Sequence, residues 1–151
     1  MVDEEGARRA GEASWSRLAL GFLAAFISAQ VVGIAVGLLT MDQTRRAMGD
    51  LLREDAWFTG FILATAILAL LLTYIQARRP AATYLEAAVM GFIAAFAVWF
   101  PDRLIFAAAF DLPIEVHLDL FWTGSLRTLM GVAGAMALRY VWTFRRGTEQ
   151  A

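Results

Sequence analysis

The chain has no cysteine, no lysine, three prolines and a single histidine among its 151 residues. Without cysteine there is no disulfide, no thiol nucleophile and no thiolate site for zinc or an iron–sulfur cluster. With His117 alone, bis-histidine haem ligation within one chain is excluded. All 13 basic residues are arginine, a bias we read as the codon usage of a GC-rich bacterial genome. The net charge is −1 and the arginines are scattered, so no basic patch marks a nucleic-acid partner. No nucleophile–base pair, phosphate loop or carboxylate dyad stands at a workable spacing, so neither an enzyme nor a cofactor is expected.

What the chain does have is apolar length. It is 60% hydrophobic with a mean hydropathy of +0.59, where soluble domains lie nearer half apolar. The excess is gathered into long runs, as in membrane proteins. The longest is Leu18 to Met41, which holds no charge. At ~1.5 Å per residue it can cross a hydrocarbon core of ~30 Å. Its start mimics a signal peptide, but the apolar run continues past the candidate cleavage site at Ala29, which predicts an uncleaved anchor. Gly21, Ala25, Ala29, Gly33 and Gly37 recur every fourth residue and line one side of a helix. In lipid, hiding a leucine gains little, and association comes from close packing that small residues permit. These five are therefore assigned to helix packing.

Three further spans follow. Ala56 to Gln76 carries the small step Gly60–Ala64 and closes at Arg78-Arg79-Pro80. Tyr84 to about Phe100 carries Ala87, Gly91 and Ala95. About Leu120 to Phe144 carries Gly131 and Ala135; Arg127 interrupts it and Arg139 lies near its far end, so it needs protein neighbours to insert. The expected fold is an all-α integral membrane protein, a four-transmembrane-helix bundle with spans at about 18–41, 56–76, 84–100 and 120–144.

The connections are expected as follows. Residues 1–14 form a disordered cytoplasmic tail. Residues 42–55 form an amphipathic outer loop lying on the membrane surface, with partner docking as the sharper alternative. Residues 101–119 form an outer interfacial segment, and 145–151 a second cytoplasmic tail. Within 101–119, Leu104–Phe110 either continues the third helix past Pro101 or lies at the interface. Apolar and polar residues alternate strictly from Ile114 to Leu120, a strand pattern, although Pro113 suits a helix start equally well.

Arginine counts set the orientation. The two tails and the middle loop carry eight (Arg8, Arg9, Arg17, Arg78, Arg79, Arg139, Arg145, Arg146); the other two loops carry four (Arg45, Arg46, Arg53, Arg103). The positive-inside rule then predicts both termini in the cytoplasm of a bacterial inner membrane. All five tryptophans and all three tyrosines fall near span ends, as in an interfacial belt.

Four intramembrane charges draw notice: Glu86, Asp102, Arg127 and Arg139. In an antiparallel third and fourth span, Glu86 meets Arg139 near one side, and Asp102 meets Arg127 near the other. Two such pairs would clamp the hairpin; alternatively, Arg127 snorkels to headgroups or lines a polar pathway. On an extended strand Glu115, His117 and Asp119 share one face and are weak candidates for a divalent cation, against a plain solvated face. Gln30 adjoins the small stripe and can bond across a helix contact.

The function expected is that of a non-catalytic accessory, assembly or structural subunit, partnered by the bilayer and by other membrane-protein subunits or by copies of itself. The alternative is a small oligomeric transporter or channel with Arg127, Glu86 and Gln30 near its pathway.

Overall fold

In the computed structural model, which describes residues 4–49, 54–109 and 113–148, the chain is helical almost throughout, with no strand among those residues. Among the described residues five helices run in order: α1 (Glu4–Met48), α2 (Glu54–Arg78), α3 (Tyr84–Ala109), α4 (Ile114–Ser125) and α5 (Thr128–Thr148). Three hold stretches long and apolar enough to cross a membrane: Trp15–Arg46, Phe58–Arg78 and Tyr84–Pro101. The chain is an all-helical protein with the helices of a membrane protein. The 32-residue stretch in α1 covers ~48 Å, more than the ~30 Å core, so α1 tilts or projects beyond it.

The connections differ from the sequence reading. α1 is already helical at Glu4, so residues 4–14 of the tail expected to be disordered belong to the helix. Asp42–Met48 continues α1 without a break instead of forming a separate surface helix, and Gly49, at φ +48°, ends it. The rest of that loop, 50–53, lies outside the described residues. α3 runs through Pro101 to Ala109, so Leu104 and its neighbours extend the third helix.

The alternating segment is α4, not a strand. Pro113 starts it, and its carbonyl accepts the N–H of Val116 at 3.0 Å and of His117 at 3.3 Å. A helix satisfies this backbone within the segment, which a lone strand beside lipid cannot do. The expected fourth span is divided at Leu126–Arg127. There the N–H groups of Arg127, Leu129 and Met130 reach back only three residues, at 2.9, 3.1 and 3.0 Å. The hydroxyls of Ser125 and Thr128 take the carbonyls of Trp122 and Ser125 at 2.7 and 2.6 Å, competing with the regular ladder.

α5 packs along both α1 and α3, while α2 packs on α1. The pattern inverts that of a soluble helix. On α1, Leu23, Ile27, Val31, Ile34 and Leu38 face outward, and Ala25 and Ala29 are wholly buried. The tightest approach joins α3 to α5: a Cβ on Gly91 would strike the Gly131 carbonyl, and a Cβ on Gly131 the Gly91 carbonyl. Ala95 and Ala135 flank this crossing, both buried. Backbone meets backbone because all four residues are small. At Gly21 a Cβ would lie 2.5 Å from Leu138 Cδ1 and 2.6 Å from Trp142 Nε1, so α1 and α5 also lack room for a side chain there.

Two tryptophans of the expected belt are core residues. Trp99 is 6% exposed; its ring lies 5.3 Å from that of Phe121, and its indole fills the space a Cβ on Gly124 would need. Trp142 is 7% exposed, between Arg17 and the Gly21 face of α1. Trp15, Tyr74, Trp122 and Tyr140 are exposed.

Candidate functional site

The α2–α3 turn gathers a cluster of polar side-chain contacts from α2, α3 and α5. α2 ends with Arg79 N–H donating to Ile75 O at 2.8 Å. Gln76, 2% exposed, turns its Oε1 to accept the Ala81 N–H at 2.9 Å. Thr83 then caps α3: its Oγ1 accepts the Glu86 N–H at 3.1 Å, and Glu86 Oε2 accepts the Ala82 N–H at 2.7 Å. This is a capping-box arrangement, which satisfies donors that a helix start leaves open.

Arg139 of α5 reaches the same turn. It donates to the carbonyls of Ala81 and Ala82, the latter at 2.5 Å, and its guanidinium lies 5.0 Å from the centre of the Tyr84 ring. Glu86 and Arg139 thus serve one turn without pairing with each other. Glu86 lies 4.0 Å from Arg79, and Arg139 satisfies carbonyls. Beside them, Arg17, Gln76, Pro80, Ala81, Arg139, Trp142 and Thr143 line a small cavity of about 40 Å³.

A second feature is a groove between α2 and α3. Near the turn it opens to about 800 Å³, lined by Leu71, Ile75, Arg79, Glu86, Val89 and Ile93 among others. Towards the far end lies a cavity of about 430 Å³ between Gly60, Phe61, Ala64 and Leu68 of α2 and Ala95, Val98 and Trp99 of α3, with Arg127 and Met130 beside it. Gly60 is exposed, and a Cβ built on it would meet nothing within 4 Å. Among the small steps, the one at Gly60–Ala64 therefore faces open space, whereas Gly91, Gly131 and Gly21 are packed.

The other candidates disperse. Gly21, Ala25, Ala29 and Gly33 are buried and Gly37 half-buried; a Cβ at Gly33 would run into Phe61 and lie 2.8 Å from Met130 Cε. Gln30 is half-buried on α1 and lines none of these three cavities. Arg127 is half-buried in the turn before α5, at the end of α5 opposite Arg139. The Asp102 side chain lies outside the described residues, so the Asp102–Arg127 pair does too.

On α4, Glu115 and Asp119 are one turn apart, but His117 is rotated by ~200° from Glu115. The helix thus turns His117 away from the two carboxylates that a strand would align with it. No group of three or more potential metal ligands comes together among the described residues.

The hydroxyls within the spans are turned onto their own helices. Thr40, Thr65 and Thr73 donate to Val36, Phe61 and Ala69 carbonyls at 2.8 Å, and Thr44 to Thr40 at 3.0 Å.

Sequence reasoning missed two roles at the turn. The Thr83-x-x-Glu86 pattern is the signature of a capping box and was open to recognition. Gln76 carried no such signal, since a glutamine one turn before Arg-Arg-Pro reads as a span end reaching water. No family model, curated protein or solved structure matches the chain.

Proposed function

We infer that this chain is a non-catalytic subunit of a membrane assembly, and that it associates through the α2 face bordering the groove. The observation that carries this reading is the uncovered step at Gly60 and Ala64, which opens onto a 430 Å³ apolar cavity. Helices associate in lipid where small residues admit another backbone. The chain places such residues in contact at Gly91–Gly131 and along the Gly21 stripe, and has nothing within reach of Gly60. In this reading a helix of a partner subunit, or of a second copy, lies across the Gly60–Ala64 step.

The transport alternative requires a shared polar pathway. Glu86 is engaged at the turn, Arg127 borders the far cavity, and Gln30 lines neither. The buried threonines bond their own helices. Polar groups satisfied separately and at different depths favour an assembly role.

In this reading α5 is the fourth crossing. Its 21 residues span ~31 Å, enough for the core. Arg139 makes it a poor span in isolation, but α1 and α3 shield it on two sides and the turn carbonyls take its guanidinium. Four crossings with the arginine-rich ends inside leave both termini in the cytoplasm, in a bacterial inner membrane.

Because the native chain has no cysteine, a single Gly60→Cys or Ala64→Cys variant tests the face without background. Mild oxidation or a short thiol-to-amine crosslinker in native membranes should trap one discrete higher-mass species. Ile67→Cys, also on α2 and exposed, should give none. Equal crosslinking at all three positions would dismiss the Gly60 face as the contact.

A further inference from the structure

At the turn end of the bundle, three nitrogen donors are buried and unmatched. Arg17 Nε, Arg139 Nε and Gln76 Nε2 have no hydrogen-bond partner, and all three residues line the 40 Å³ cavity. Gln76 is 2% exposed and its Oε1 is held by Ala81, which fixes the amide with its NH₂ on the other side. The cavity has no acidic lining residue. Glu86, at the same turn, accepts the Ala82 N–H and lies 4.0 Å from Arg79. Three buried N–H groups, on Arg17, Gln76 and Arg139, thus lack an acceptor beside this space, an arrangement that is costly unless something supplies one.

Water meets this need poorly. It can accept from two of these donors, but it carries no charge to set against the two guanidiniums that border the space. An anionic oxygen only accepts, and it compensates the charge as well. We propose that Arg17, Gln76 and Arg139 form an anion site for a phosphate oxygen, supplied by the headgroup of an anionic phospholipid or by free phosphate. A volume of about 40 Å³ admits one or two phosphate oxygens, with the remainder of the group directed outward. The position suits a headgroup: Trp15, Tyr74 and Tyr140 stand exposed at this end, at the level where aromatic rings meet the membrane interface. Basic pockets between spanning helices are where phosphate headgroups dock.

The test uses the full-length protein in phosphatidylcholine nanodiscs, with thermal unfolding followed by tryptophan fluorescence. Phosphatidylglycerol is added at increasing mole fraction in one arm. In the other, inorganic phosphate is added against sodium chloride of equal ionic strength. The expected result is a midpoint raised by a few degrees with phosphatidylglycerol. A rise with inorganic phosphate as well would extend the site to the free anion, and a rise in the lipid arm alone would assign it to headgroups.

Gln76→Glu is the sharp variant. It keeps the acceptor for Ala81 and places a carboxylate oxygen where the unmatched NH₂ lies. It should raise the ligand-free midpoint and weaken the ligand response by about tenfold or more. Arg17→Gln should lose the response without that gain, and Arg79→Gln, outside the cavity, should keep it. If Gln76→Glu does not fold, Arg17→Gln decides alone. No rise in the wild type with either ligand, or a full rise retained in Gln76→Glu or in Arg17→Gln, would overturn the site.

Discussion

Two contacts of α3 can be set side by side. Against α5 it closes until the backbones touch at Gly91 and Gly131; against α2 it leaves cavities of about 430 and 800 Å³. Both pairs are antiparallel, and both carry a small step on at least one helix. The difference lies in what faces the step. Gly131 and Ala135 meet Gly91 and Ala95, small against small. Gly60 and Ala64 have the Trp99 indole and Val98 on the far wall of their cavity. In lipid a small residue helps only when another backbone can enter the space it leaves. One small step is therefore filled within the chain, and the other stays open.

The largest expected effect comes from breaking the closed contact. Gly131→Val sets a branched side chain against the Gly91 carbonyl, where no flexible group can move aside. Ordinary overpacking costs ~1–3 kcal/mol, and a backbone obstacle lies at or above the top of that range. The variant should lose its cooperative thermal transition or fail to yield monodisperse protein.

Next is Arg139→Gln, which removes charged hydrogen bonds to the Ala81 and Ala82 carbonyls. One such bond is worth ~1.5–3 kcal/mol, and partial exposure of this pair argues for the lower end. Protease cleavage within 79–83 should rise together with a lower midpoint. A smaller loss, about 1 kcal/mol, is expected for Gly21→Ala, because Leu138 Cδ1 and Trp142 Nε1 belong to side chains that can shift.

The smallest effect sharpens the comparison. Gly60→Ala has nothing within 4 Å to meet and improves helix propensity by up to ~1 kcal/mol. It should leave the midpoint unchanged or slightly higher. A marked fall in the isolated chain would mean that the α2 face is already packed.

The helices were readable because their chemistry is local. Uncharged runs of spanning length and residues small at every fourth position are properties of one helix, visible without a partner. The Ile114–Leu120 alternation left strand and helix both open, because a period of two is strong evidence only where a strand has neighbours to pair with. The break at Arg127 depends on the hydroxyls of Ser125 and Thr128 competing for carbonyls, which single-residue hydropathy does not register. Trp99 and Trp142 sit near span ends, as interfacial residues do, yet the glycines opposite them, Gly124 and Gly21, draw them inward. Antiparallel spans and helix rise bring Glu86 and Arg139 to one end of the hairpin, where both contact the intervening turn. That they serve the intervening turn separately depends on Thr83 and on two backbone carbonyls. Which small step finds its partner within the chain is a tertiary matter, and no spacing rule distinguishes Gly60 from Gly91.

The measurement that bears most directly on the assembly role is the native mass of the protein extracted in mild detergent from its own membrane, for the wild type and for Gly60→Leu. The account predicts a stoichiometric complex larger than the 16.6 kDa chain for the wild type, and a folded, smaller species for Gly60→Leu. A wild-type mass equal to one chain, or a complex that survives Gly60→Leu unchanged, would contradict it.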